Sequence, residues 1–183
     1  MNAEEEHIII RILAGKTEEY TYFLSKYSQQ IHTLIVSMGH SPEDAEELTQ
    51  DTFIKAFRCL SSFRRSSSFL TWLYRIAYNL SISALRKRKT EAISIDEQHW
   101  AKISDTTIDK ELDNDTEEQI KKLRHALTLL PAEERALIVL FYEKERSIRE
   151  ISCITGMTEN NIKTKLHRIR RKIYLLITQE KEL

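Results

Sequence analysis

The sequence predicts an all-α protein of two small helical domains joined by an acidic, flexible linker. Three observations carry that expectation. The 183 residues include only three glycines and two prolines, against an average combined usage of about 12%. Chains built from strands and tight turns need both, so sandwiches and barrels are excluded, as are collagen-like and Gly/Ser-linker chains. Apolar residues recur at the 3.6-residue helical period on both sides of the chain's middle. Charge is laid out unevenly although 28 basic residues balance 28 acidic ones. Residues 1–90 carry net +2, residues 91–118 net −8 and residues 119–183 net +6. A highly charged stretch poor in apolar residues does not fold alone. The domains are therefore expected at 1–90 and 117–183, with the linker at 91–116.

The chain begins with an acidic stretch, Asn2-Ala3-Glu4-Glu5-Glu6, with no apolar core of a signal peptide. The longest apolar run, 136–142, is far short of the roughly 20 residues of a membrane span. A cytoplasmic protein is expected. From Thr17 to Met38, Tyr20, Phe23, Leu24, Tyr27, Ile31, Leu34, Ile35 and Met38 form one helical stripe that Gly39 stops. Ser41-Pro42-Glu43-Asp44 then opens a helix. Ser41 suits the cap, Pro42 the first turn, and the acids the positive helix end. Its inner stripe runs Ala45, Leu48, Thr52, Phe53, Ala56, Phe57 and Leu60. The outer face bears Glu43, Glu46, Glu47, Gln50 and Asp51, which reads as a solvated face or a docking face.

A basic, serine-rich loop over 63–68 precedes a helix from about Phe69 to Lys89. Trp72, Leu73, Ile76, Ala77, Leu80 and Leu85 are expected inward, with Tyr74 and Tyr78 off that stripe beside Arg75 and Asn79. Aromatics interleaved with such donors can serve as core or as stacking platforms for unpaired bases. The terminal cluster Arg86-Lys87-Arg88-Lys89 suits the negative end of a helix.

In the second block, Ile120, Leu123, Leu127 and Leu130 form a stripe that ends before Pro131. Pro131 starts the next helix, with Leu137, Leu140 and Phe141 inward. Ser147 opens a short helix that ends at Gly156, and Thr158 caps a longer one with the stripe Ile162, Leu166, Ile169, Ile173 and Leu176. A short helix, a glycine turn and a longer helix is the helix-turn-helix pattern. Lys163, Lys165, Arg168, Arg170, Arg171 and Lys172 put six bases on the second helix with no acid between Ile162 and Tyr174, as duplex DNA requires.

Catalytic chemistry finds no carrier. The two cysteines, Cys59 and Cys153, form no C-x-x-C and read as reduced core thiols. The six histidines show no metal spacing, and phosphate-cradling glycine loops are missing. Neither a cofactor, a metal nor a small-molecule substrate is expected, and the protein is not read as an enzyme.

These segments resemble a known family. Ser41-Pro42-Glu43-Asp44-Ala45-Glu46-Glu47-Leu48-Thr49-Gln50-Asp51-Thr52-Phe53 is similar to region 2.2 of bacterial extracytoplasmic-function sigma factors. Phe69-Leu70-Thr71-Trp72-Leu73-Tyr74-Arg75-Ile76-Ala77 resembles the promoter-melting segment that follows it. Leu130-Pro131-Ala132-Glu133-Glu134-Arg135 and Ile162–Lys172 resemble region 4. The resemblance implies a dissociable subunit that directs core RNA polymerase to promoters. Asp44, Glu47, Gln50, Asp51 and Phe53 match the face that docks on the β′ clamp coiled coil. Phe63, Arg64, Trp72, Tyr74, Arg75 and Asn79 match the pocket for a flipped minus-10 base, with Arg86 and Lys87 on phosphates. Lys163, Thr164, His167 and Arg168 match the minus-35 base-facing positions, with Arg171 as a phosphate contact. The family is usually held inactive by an anti-sigma factor, often membrane-bound, and the acidic linker would thread the polymerase's RNA-exit path.

The chain departs from the family pattern at Arg65-Ser66 in the loop, at Ser83, and at Glu159-Asn160-Asn161 before the last helix. Two other readings remain at this point. A helix-turn-helix regulator acting without polymerase leaves residues 63–89 idle. A helical adaptor would not depend on DNA.

Overall fold

The computed structural model describes residues 3–87 and 117–179. Among them are eight α-helices and no strand. Helix α1 (Ala3–Leu13) is followed by a 3-10 turn (Thr17–Tyr20), α2 (Thr21–Ser37), α3 (Pro42–Arg58), a second turn (Leu60–Ser62) and α4 (Phe69–Lys87). The second unit comprises α5 (Glu117–Leu129), α6 (Ala132–Ile138) running on as a π-helical turn (Val139–Glu143), α7 (Ile148–Thr155) and α8 (Glu159–Gln179). The expected linker, 91–116, lies outside the described residues, as do Arg88 and Lys89.

The N-terminal bundle forms around aromatic rings. Phe23, Ile31, Leu34, Ile35, Phe69 and Leu73 are fully buried. The ring centroids of Phe23 and Phe69 lie 4.1 Å apart and tie α2 to α4. Each such side chain contributes about 1.5–3 kcal/mol by leaving water. Helix α1, read from sequence only as an acidic start, packs on this core through Ile8, Ile9 and Ile12. Its Glu5 is buried, accepts from the Tyr27 hydroxyl, and pairs with Lys26 at 2.9 Å. Burial and the Glu5 carboxylate push the Tyr27 phenol up to about 12.

The caps follow the expected chemistry. The Asp44 N–H donates to Ser41 Oγ at 3.1 Å, and the Ser41 hydroxyl donates to the Asp44 carboxylate at 2.7 Å. Ser147 and Glu150 form a reciprocal capping box at the start of α7, and Gly156 closes that helix at φ 77°. The Asn161 N–H donates to Thr158 Oγ1 at the start of α8.

Three expectations need correction. Cys59 and Cys153 are free thiols, but both are exposed rather than in the core. Lys172 does not join the basic face of α8. It is buried and pairs with Glu134 at 3.1 Å, because its position lies next to the inward Ile169 and Ile173. Tyr74 and Tyr78 are buried, whereas Trp72, Ile76 and Leu80 are only half-buried. The reason is tertiary. Helix α4 packs on α2 and α3 and also on α7, so its covered arc is wider than the single stripe expected.

The two units therefore meet. Helix α4 contacts α7 and α6, and α2 contacts α6 and its π-helical turn. The Thr71 hydroxyl donates to the Glu150 carboxylate at 3.3 Å, and Arg86 pairs with Glu133 at 3.2 Å. The Arg135 side chain lies over Gly39, whose φ is 100°. A Cβ placed there would stand 2.3 Å from a guanidinium nitrogen.

Candidate nucleic-acid interface

Three surfaces collect the residues singled out above. The first is the outer face of α3. Glu43, Glu46, Glu47, Gln50 and Asp51 are all exposed there, in line on a helix whose inner face holds Ala45, Thr49, Thr52 and Ala56. Asp44 is half-buried and serves the Ser41 cap. Phe53 is buried beneath this face: it is 3% exposed, its ring sits edge-on to Tyr20 at 6.4 Å, and its carbonyl accepts from the Tyr20 hydroxyl. Its stripe position placed it inward, and the structure keeps it there. The exposed apolar groups beside this face are Leu24, Ile54 and Phe57, around a groove of about 500 Å³ that Gln50 and Phe53 also line. Sequence reasoning missed this groove because Leu24 and Phe57 fall on their helices' apolar stripes and read as core.

The second surface is a cavity of about 350 Å³ where the 62–67 loop meets α4. Phe63, Arg64, Trp72 and Arg75 line it, so four of the expected pocket residues come together. Phe63 and Trp72 rings lie 5.1 Å apart, and Phe69 backs both at 5.6 Å. The aromatic wall is thus held from behind, while the exposed Arg64 and Arg75 stand at the rim. Two aromatic faces and two guanidinium groups offer a planar base both stacking and edge donors. Arg65, by contrast, does not line the cavity. Its backbone is left-handed at φ 59°, and its guanidinium reaches back to Glu6 of α1 at 2.6 Å.

Two expected members are not in the pocket. Tyr74 is fully buried, and its hydroxyl reaches toward Gln30 at 3.5 Å. Burial raises its phenol above the usual range, with Arg146 and Glu143 of the second unit near enough to act on it. Asn79 is exposed further along α4, nearly two turns beyond Trp72. Arg86 and Lys87 are exposed at the end of α4, and Arg86 holds Glu133 of the second unit.

The third surface is α8. Lys163, Thr164, His167 and Arg168 are exposed on one side, opposite the buried Ile162, Leu166, Ile169 and Ile173. The Thr164 hydroxyl donates to its own helix at Asn160 O, 3.0 Å away, leaving its methyl as the outward contact group. Arg171 is half-buried at the border of this face. Asn160 and Asn161 are exposed at the helix start.

Known proteins resemble this chain in sequence and in fold. A sequence model described as Sigma-70 region 2 matches residues 23–91, and one described as Sigma-70, region 4 matches residues 120–173. The ECF RNA polymerase sigma factor SigW of Bacillus subtilis is 31% identical over 179 residues, covering 90% of this chain and 92% of that protein. RNA polymerase sigma factor YlaC of the same organism is 32% identical over 159 residues, covering 86% and 91%. Among solved structures, the sigma factor RpoE of Bartonella quintana, in complex with the anti-sigma factor NepR, shares this fold. Its TM-score is 0.64 at 23% identity, covering 88% of this chain and 98% of that one. CnrH, in complex with the cytosolic domain of CnrY, gives 0.64 at 18% identity, covering 94% and 96%. With both region models in order along one chain and near-full-length relatives above 30% identity, the protein belongs to the extracytoplasmic-function group of the sigma-70 family, the subunits that direct RNA polymerase to promoters.

Proposed function

We propose that the three surfaces divide the work of promoter opening. The acidic face of α3, with Asp44, Glu47, Gln50 and Asp51 over the supporting Phe53, docks on the β′ clamp coiled coil of core polymerase. The adjoining apolar groove widens that contact. The cavity of Phe63, Arg64, Trp72 and Arg75 takes a base flipped from the non-template strand at minus 10. Flipping costs a few kcal/mol and stacking returns about 1–3 kcal/mol per base, so the cavity decides whether melting proceeds. Asn79, Arg86 and Lys87 follow the strand along α4. Tyr74 acts from beneath, as support for the α4 backbone. Helix α8 enters the major groove at minus 35, with Lys163, Thr164, His167 and Arg168 toward bases and Arg171 toward a phosphate.

The observation that carries this reading is the cavity itself. Paired aromatic walls with guanidinium groups at the rim suit a single unpaired base and have no use in a regulator that only grips duplex DNA. Residues 1–90 and 117–183 are the working units, and 91–116 is the acidic connection along the RNA-exit path. The chain works in the cytoplasm as a dissociable subunit, without catalytic groups of its own. No described helix is long and apolar enough to cross a membrane. An anti-sigma protein, soluble or membrane-bound, is the expected inhibitor, since the solved relatives above are complexes with such proteins.

The test is co-elution of the purified chain with cognate core polymerase on a sizing column. Wild type is expected to co-elute, and Glu47→Lys with Asp51→Lys to elute apart while keeping its helical circular dichroism. Retained co-elution of the charge-reversed protein would reject the docking face.

A further inference from the structure

The loop over 63–68 is held at both ends by short-range contacts. At its start the Phe63 ring packs on Phe69 and Trp72. At its end the Ser68 hydroxyl oxygen accepts from the Thr71 N–H at 3.0 Å, as a helix cap does. Its middle is held differently. Arg64, Ser66 and Ser67 line the minus-10 cavity, while Arg65 between them reaches away to α1. Its Nη1 donates to Oε1 of Glu6 at 2.6 Å, 59 residues earlier in the chain. Among the described residues, this pair is the polar contact that ties the middle of the loop to another element. The backbone at Arg65 is left-handed, with φ 59°. A side chain there carries a steric cost that glycine escapes, so surrounding contacts must hold it. Helix α1 is itself fixed. Its Ile8, Ile9 and Ile12 are buried, it touches the turn that leads into the loop, and its Glu5 is bound by Tyr27 and Lys26. Glu6 thus projects from a rigid base.

We infer that Glu6 and Arg65 are positioning residues for minus-10 recognition: the ion pair from α1 sets where the loop holds Arg64 at the cavity rim, and so which base the cavity accepts. Neither residue needs to touch the base. This rests on the pocket reading above and adds α1 to the elements that decide specificity. Arg64 immediately precedes the left-handed residue, so a change in the Arg65 backbone re-aims its side chain directly. A guanidinium discriminates base edges only when its fork is held in register with them. The Arg65 and Glu6 side chains are 40% and 41% exposed. An exposed pair contributes little to stability. Its loss should therefore loosen the loop without unfolding the bundle, which separates positioning from structural support.

The experiment uses the full chain, assembled with cognate core polymerase. A fork-junction promoter fragment is selected from a random pool with wild-type holoenzyme, and its three counterparts substituted at the flipped base are prepared. Glu6→Gln and Arg65→Asn each remove the ion pair, and asparagine tolerates the left-handed backbone. Each is expected to reduce the preference for the selected fork by about two- to fivefold, the range an exposed ion pair can transmit. The two together should lose no more than either alone, since they break one contact. Glu6→Arg with Arg65→Glu, which rebuilds the pair in reverse, should recover the preference. Urea melting of the free variants should stay close to wild type. A preference unchanged in both single variants would overturn the inference, and lowered stability beside it would mark the pair as structural only. If Arg65→Asn weakens all four forks equally while Glu6→Gln does nothing, Arg65 is a phosphate contact and the inference also fails. Additive losses, or a reversed pair that recovers nothing, would overturn it too. If wild-type holoenzyme itself does not distinguish the four forks, the pocket reading falls first and the positioning role with it.

Discussion

Arg168 stands on the exposed side of α8 with Lys163 and His167, over a buried stripe that fixes which way the helix faces. Arg168→Ala is expected to reduce discrimination between the best and substituted minus-35 duplexes by about 1–3 kcal/mol if its contact to guanine is bidentate. Titration of labelled duplexes by holoenzyme measures this, and an unchanged preference would remove Arg168 from the reading set. Trp72 is half-buried against Phe63 and Phe69. Trp72→Ala is expected to stop open-complex formation and to cost about 2 kcal/mol of stability, less than a fully buried aromatic. Permanganate footprinting beside thermal melting separates the two effects, and full melting activity in a folded variant would empty the pocket of its role. Most of the site was legible at this scale. Phe63, Arg64, Trp72 and Arg75 stand within thirteen residues of sequence, so one turn of loop and one turn of helix bring them together. Tyr74 was misjudged because a helical wheel records one covered face, whereas α4 is covered on two.

Helix ends were the most legible feature of the elements, because capping is chemistry between neighbours. Ser41, Ser147, Gly156 and Thr158 all act where local rules put them. Glu150 goes further than its local role. Burial by itself would raise its carboxyl, but the Ser147 N–H and hydroxyl, the Arg146 charge and the Thr71 hydroxyl together hold it below its ordinary 4.5. A carboxylate lowered by folding contributes in full above its unfolded value, and that contribution is lost as pH falls through the lowered one. Glu150→Gln is therefore expected to melt earlier than wild type at neutral pH, by roughly 1 kcal/mol of capping, with the gap closing below about pH 4. A gap independent of pH would show that the ionised carboxylate is not what holds α7. Helix α1 was the element that sequence reading missed. Its Ile8, Ile9 and Ile12 make a stripe too short to separate from an acidic tail until α2 is beside it to cover them.

At the scale of the whole molecule, the contact of Arg135 with Gly39 reports whether the two units are closed in solution. Gly39→Ala carries a left-handed penalty of about 1–2 kcal/mol and must also push the guanidinium aside. In the variant that also carries Arg135→Ala, only the backbone penalty remains. The two changes are therefore expected to be non-additive by about 0.5–3 kcal/mol in urea denaturation. Strict additivity would mean that the units stand apart. By itself the sequence determined the helical class, the order of the elements, their caps and the residue types of each surface, because these rest on periodicity and on interactions within a few positions. Only the tertiary structure decided that Tyr74 and Lys172 turn inward, that Leu24, Ile54 and Phe57 gather at one groove, and that Cys153 of α7 joins the wall of the cavity lined by Phe63 and Trp72. Those outcomes depend on which helix covers which, a relation between distant segments, 79 residues apart in the case of Thr71 and Glu150, that no local pattern encodes.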